Sequence, residues 1–146
     1  MASQEHIEYN DSFVAALETI WGDGFLSPGG LFLASDWMRR DAHPPSAEMK
    51  RYLEFEDLNF EMMPPVYYEQ ALVAAGFEEV VIRDRNRWYA ELARKEHQEI
   101  KGTLYPTLVE KAGKAEADRL VGVWQAMCVV LDSGELRPAH MRAKKP

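Results

Sequence analysis

The chain has 146 residues, 47% of them hydrophobic and 28% charged, with 24 acidic against 17 basic side chains for a net charge of −7. That length supports one well-packed core, and the composition is that of a water-soluble globular protein. The acidic balance argues against a nucleic-acid backbone as the main partner. No apolar run reaches the length of a membrane span, the acidic start Met1 to Glu8 does not read as a signal peptide, and the expected compartment is the cytoplasm.

Residues 1–10 are polar. Asp11 or Ser12 is placed to cap a helix whose apolar positions Phe13, Leu17, Ile20 and Trp21 recur at helical spacing, with Gly22 as its stop. A helix this short needs a surface to dock on. Pro28-Gly29-Gly30 is a turn, and Leu31–Ser35 is a short apolar run of the kind found in strands buried on both faces. Pro44-Pro45 breaks the chain, and Ser46 is placed to cap a helix through about Asp57. Pro64-Pro65 starts another, with Val66, Tyr67, Leu72 and Ala75 inward and Gly76 as stop. Phe77–Arg83 reads as a strand, and Asn86 as the cap of a helix carrying Trp88, Leu92 and Ala93 on its inner stripe. A short helix over Tyr105–Lys111 precedes a long one over Ala115–Leu131, with Leu120, Val123, Trp124, Met127 and Val130 facing in. Leu136–Ala143 reads as a last strand, made irregular by Pro138.

The stretch WGDGFLSPGG, Trp21 to Gly30, resembles the N-terminal lid motif of the S-adenosylmethionine-dependent small-molecule methyltransferases related to the phosphoethanolamine methyltransferases. The remainder, from GGLFLASDWM onward, resembles the last third of the same family. One Pro28-Gly29-Gly30 stands where the family has two such turns, which implies that the cofactor-binding centre between them is missing. The resemblance implies an α/β fold: a truncated Rossmann-like methyltransferase with a three-stranded sheet and five to six helices, completed by dimerisation. It divides the chain into a lid helix and loop, residues 1–30, and a methyltransferase-like subdomain, residues 31–146. It also implies a strand order in which Leu31–Ser35 lies at one side, the last strand in the middle and Phe77–Arg83 at the outer edge. The first strand then lacks its neighbour, and an uncovered apolar strand is an association site. The expected partner is a second copy or a cofactor-bearing subunit.

By resemblance, Trp21 and Ser27 match lid residues that approach the cofactor. A nucleotide cradle needs a glycine-rich turn directly after a strand and an acidic residue some 20 positions on, and no such pair is present. The chain alone is therefore expected to hold no cofactor, and S-adenosylmethionine only with a partner. Asp36, Trp37, Arg39, Tyr52, Glu54 and Glu56 are the candidate ligand set, because aromatic faces interleaved with carboxylates attract a methylated ammonium. Tyr52 matches the first tyrosine of the family's phosphate-gripping lid motif, but Glu56 and Leu58 replace its arginine and second tyrosine, so an amine fits better than a phosphate. The competing reading of this stretch is an acidic helix face with its aromatics in the core.

The four histidines show no metal-ligand spacing, and no metal site is expected. Cys128, in an apolar run, reads as a structural thiol. No catalytic residue is assigned. The leading functional reading is a non-catalytic or partner-dependent binder of a small amine. The alternatives are an active amine methyltransferase whose site is rebuilt across an oligomer, and a pocket repurposed for isomerase or cyclase chemistry with Asp36, Glu54 or Glu56 as base.

Overall fold

The computed structural model describes residues 26–57 and 62–146. The expected helix from Asp11 to Trp21 and most of the expected Asn59–Met63 linker lie outside the described residues. Among the described residues there are three strands and five helices: β1 (Leu31–Asp36), α1 (Ala47–Glu56), α2 (Pro65–Ala74), β2 (Glu78–Asp84), α3 (Asn86–Lys101), α4 (Tyr105–Ala112), α5 (Lys114–Asp132) and β3 (Ala139–Lys144). They fall into two compact units. One holds described residues 26–42, 62–84 and 138–146, the other 43–57 and 85–137.

The first unit is a three-stranded sheet in the order β1-β3-β2, the order the resemblance implied. Both outer strands run antiparallel to β3, with Phe32 opposite Ala143, Ala34 opposite Met141 and Ile82 also opposite Met141. Helix α2 starts on Pro65, whose missing N–H costs nothing at a helix start. It lays Tyr68 and Leu72 against Ala139, Met141 and Ala143, and Met38, Met63 and Phe77 close the cluster. Gly76, at φ 96°, supplies the positive dihedral that ends α2 and turns the chain into β2.

Three expectations for this unit are corrected. β1 is not buried on both faces: Phe32 and Ala34 point inward, whereas Leu31 is 56% and Leu33 is 68% exposed. A continuous apolar run gives the same signal whether one face or both are covered, and among the described residues the covering helix lies on one face. Val66, expected inward, is exposed on α2, because Tyr68, Ala71 and Leu72 take the sheet-facing stripe. The last strand is shorter than expected and begins after Pro138, which lacks the N–H a ladder needs.

The second unit is helical. α5, with 19 residues, is its spine and buries Ala117, Val123, Ala126, Met127, Val130 and Leu131. α1 docks on it through Met49 and Tyr52, and α3 through Ala90 and Ala93. Ser46 caps α1 as expected: its hydroxyl accepts from the Met49 amide at 3.1 Å and donates to Glu135, whose other carboxylate oxygen takes the Ser46 amide at 2.9 Å. Gly122 on α5 sits under the Phe55 ring, where a β-carbon would come within 3.0 Å. Trp88, expected on the inner stripe of α3, is 48% exposed with the Arg85 guanidinium over its ring at 5.0 Å. The contact is made instead by small alanines, which bring α3 close to α5. Asn86 is the first helical residue rather than the cap, and its amide is used elsewhere, on the carbonyls of Leu131 and Leu136.

Candidate functional site

The candidate residues divide between the units. Asp36, Trp37 and Arg39 belong to the first, Tyr52, Glu54 and Glu56 to the second. Trp21 lies outside the described residues. Ser27 is exposed, and its carbonyl accepts from the Gly30 amide at 2.8 Å, closing the Pro28-Gly29 turn.

In the first unit Asp36 ends β1 on the inward face, so its carboxylate meets α2. The Tyr68 hydroxyl donates to one oxygen at 2.7 Å and the Trp37 amide to the other at 2.8 Å. Held from both sides, the carboxylate is fixed in orientation and keeps acceptor capacity for a further donor or a cation. Trp37 is half-buried beside it, and Arg39 is drawn into the interior at 7% exposure, with its amide donating to the Met63 carbonyl at 3.3 Å. Tyr68 was missed by sequence reasoning. The signal available was the Tyr67-Tyr68 pair in the first turns of a proline-started helix, where one of two adjacent tyrosines must face the sheet.

In the second unit the aromatics of α1 turn inward. Tyr52 is 3% exposed and hydrogen-bonded to Glu56 one turn on. Burial, reinforced by the Glu56 charge, pushes its phenol well above the ordinary tyrosine range. Phe55 is flanked by the Arg51 guanidinium at 5.5 Å and by Gly122, and its carbonyl accepts from Arg119 at 2.9 Å. Glu54 is exposed and Glu56 half-buried. A shallow cavity of 150 Å³ between α1 and α5 is lined by Glu48, Arg51, Gln125, Ala126 and Val129, so the candidate carboxylates of α1 lie outside it.

Because neutral Tyr52 is favoured by the fold, its contribution to stability is intact below the unfolded value of 10.0 and falls as pH rises past it. Tyr52→Phe is expected to flatten the alkaline decline in unfolding free energy by up to about 1.4 kcal/mol per pH unit above that point. Urea titrations at a series of alkaline pH values measure this, and an unchanged slope would contradict the buried-phenol account.

Among the described residues no cluster of metal-ligating side chains is present, and no helix is long and apolar enough to cross a membrane. Burial, with Asp132 nearby, raises the Cys128 thiol, which leaves little thiolate for nucleophilic chemistry.

Comparison with known proteins places this architecture. No family model matches the chain. Over 89% of its length it superposes on Haemonchus contortus phosphoethanolamine N-methyltransferase 2, solved with phosphomonomethylethanolamine and S-adenosylhomocysteine, at a TM-score of 0.77 and 18% identity, covering 29% of that chain. The cyclopropane synthase MmaA2 from Mycobacterium tuberculosis matches over 96% of the chain and 50% of its own, at a TM-score of 0.75 and 14% identity. The fold is therefore α/β and that of the Rossmann-like S-adenosylmethionine-dependent methyltransferases, truncated relative to those structures. In sequence, the chain is similar to two phosphoethanolamine N-methyltransferases. It is 28% identical over 102 residues to phosphoethanolamine N-methyltransferase 1 of Arabidopsis thaliana, and 29% identical over 113 residues to the phosphoethanolamine N-methyltransferase of Triticum aestivum. These matches take in 70% and 77% of this chain but 20% and 22% of the relatives, so the chain spans about a fifth of their length.

Proposed function

We propose that this chain is a methyltransferase-like unit that binds a small amine-type ligand without methylating it alone, and that a second copy completes its sheet at the outer edge of β1. The observation that carries the reading is the identity of the residues immediately beyond β1 and β2. β1 runs into Trp37-Met38 and β2 into Arg85-Asn86. Neither opens into the glycine-rich turn that lets backbone amides approach an adenosine cofactor. The ligand class is supported by the anchored Asp36 carboxylate next in sequence to the half-buried Trp37, since a carboxylate and an aromatic face both attract a methylated ammonium. The relatives point the same way, since the named substrate of the plant enzymes and the ligand of the nematode structure are both phosphorylated amines.

The choice of partner comes from β1. It is a marginal strand with no neighbour beyond it among the described residues, and such an edge is a template for another chain. Light scattering is expected to give twice the chain mass of 16.7 kDa. Choline, a small methylated ammonium, is expected to perturb tryptophan fluorescence saturably in the wild type and roughly tenfold more weakly in Asp36→Asn. A monomer with no saturable response would refute the reading.

A further inference from the structure

The two outer strands of the sheet are built differently. β2 carries Glu78, Glu79, Arg83 and Asp84, breaks register between Glu78 and Val81, and holds Glu79 at φ 51°. Charges and a bulge are the means by which a sheet edge avoids further pairing. β1 has neither: from Leu31 to Ser35 it is uncharged, free of proline and in unbroken register with β3. Its backbone polarity follows from the turn before it. The Lys145 amide donates to the Gly30 carbonyl at 3.0 Å, so Gly30 faces β3. The alternation of an antiparallel ladder then turns Phe32 and Ala34 to β3, and the amides and carbonyls of Leu31, Leu33 and Ser35 to the outer edge.

Resting on the second copy proposed above, we infer that β1 pairs with β1 antiparallel about a two-fold axis at Leu33, and that Phe32 of the partner subunit completes the ligand site beside Asp36. In this register Leu33 faces the partner's Leu33 and Leu31 faces the partner's Ser35, so every outward amide and carbonyl of the strand finds its complement. A shift by two residues one way sets Ser35 against the partner's Gly29, whose amide is already given to the Lys145 carbonyl at 2.7 Å. The shift the other way sets Leu31 against the partner's Trp37, whose amide is held by the Asp36 carboxylate at 2.8 Å. Charge selects this edge over the sheet face turned away from α2. Arg83, Arg142 and Lys144 share that face with the exposed Leu31, Leu33 and Val81, and two copies stacked on it, about 10 Å apart, would set those cations against one another. Joined edge to edge, Arg142 and its copy stand about 14 Å apart, beyond the screening length at physiological salt.

On the α2 side of the sheet the same register sets Asp36 opposite the partner's Gly30 and diagonal to the partner's Phe32, a separation of about 7–8 Å that an aromatic ring spans. A β-carbon on Gly30 would come within 2.7 Å of Leu26, so Leu26 fills the place of a side chain there. The Asp36 carboxylate, oriented by Tyr68, thus meets an apolar wall that contains a ring, and a methylated ammonium is drawn to that combination.

Two measurements separate this pairing from the mere existence of a dimer. In a Cys128→Ser background, Leu33→Cys is expected to form an intersubunit disulfide at least roughly tenfold faster than Val81→Cys, since Leu33 meets its copy at about 5.5 Å between α-carbons and Val81 stands about 24 Å from its own. Both positions are exposed, so neither substitution disturbs the core. Phe32→Leu is expected to weaken choline binding roughly fivefold or more. Co-refolded in equal amounts with Asp36→Asn, it is expected to regain about a quarter of the wild-type amplitude at wild-type affinity, because about half of the dimers are mixed and one of their two sites is intact. Phe32→Met takes its place if Phe32→Leu loses its circular dichroism. A dimer that cross-links no faster at Leu33 than at Val81, or a mixture that regains nothing, overturns the pairing and leaves the dimer standing. A monomer overturns both, and a wild type without a choline response removes the ligand site from each.

Discussion

Leu72→Ala lowers the unfolding free energy by about 3–4 kcal/mol. Leu72 is fully buried on α2, in one cluster with Met63, Phe77 and the small residues Ala139 and Ala143. Those alanines have no side chain to swing into the space, and the methionines can fill only part of it, so most of the cavity persists. A loss of this size is a large fraction of the stability of a domain of this length. Denaturant unfolding followed by circular dichroism measures it. A loss under about 1 kcal/mol would mean that α2 does not pack on the sheet as described.

Asn86→Ala is expected to cost about 2 kcal/mol by the same measurement, since a carbonyl deprived of its buried partner carries its desolvation penalty uncompensated. One amide group reaches the Leu131 carbonyl at 2.9 Å and the Leu136 carbonyl at 2.8 Å, and so ties the start of α3 to both sides of the turn that closes α5. The Leu131 carbonyl keeps the Gly134 amide at 3.1 Å, which is why the expected loss is nearer to one orphaned acceptor than to two. Asn86→Asp, which keeps the shape and removes the donor, should cost at least as much. A neutral result for both substitutions would contradict the tie.

These two positions also mark what the sequence could and could not disclose. Leu72 is readable because its spacing from Pro65 and Gly76 fixes a helix and its stripe. Asn86 reads as a cap because an asparagine before a helical pattern is a local signal, whereas its two acceptors lie 45 and 50 residues away. The strand order came from the resemblance, and the register is consistent with the alternation of Ala139, Met141 and Ala143. The exposure of Leu31 and Leu33 was not legible, because an apolar run records what a strand can bury rather than what covers it. Of the site, Asp36 and Trp37 were visible as the polar end of that run. The hydroxyl of Tyr68 that orients the carboxylate comes from 32 residues further on and leaves no local trace. Tyr52 illustrates the opposite case: aromatics spaced at one helical turn read equally as cage or core, and only packing against α5 separates the two.

Whether this chain seats an adenosine cofactor by itself is the decisive question, and isothermal titration of the purified full chain with S-adenosylhomocysteine asks it without requiring turnover. With no glycine turn behind β1 or β2 to receive it, the expected result is no saturable heat at millimolar nucleoside. Binding with a dissociation constant in the micromolar range, one nucleoside per chain, would contradict it.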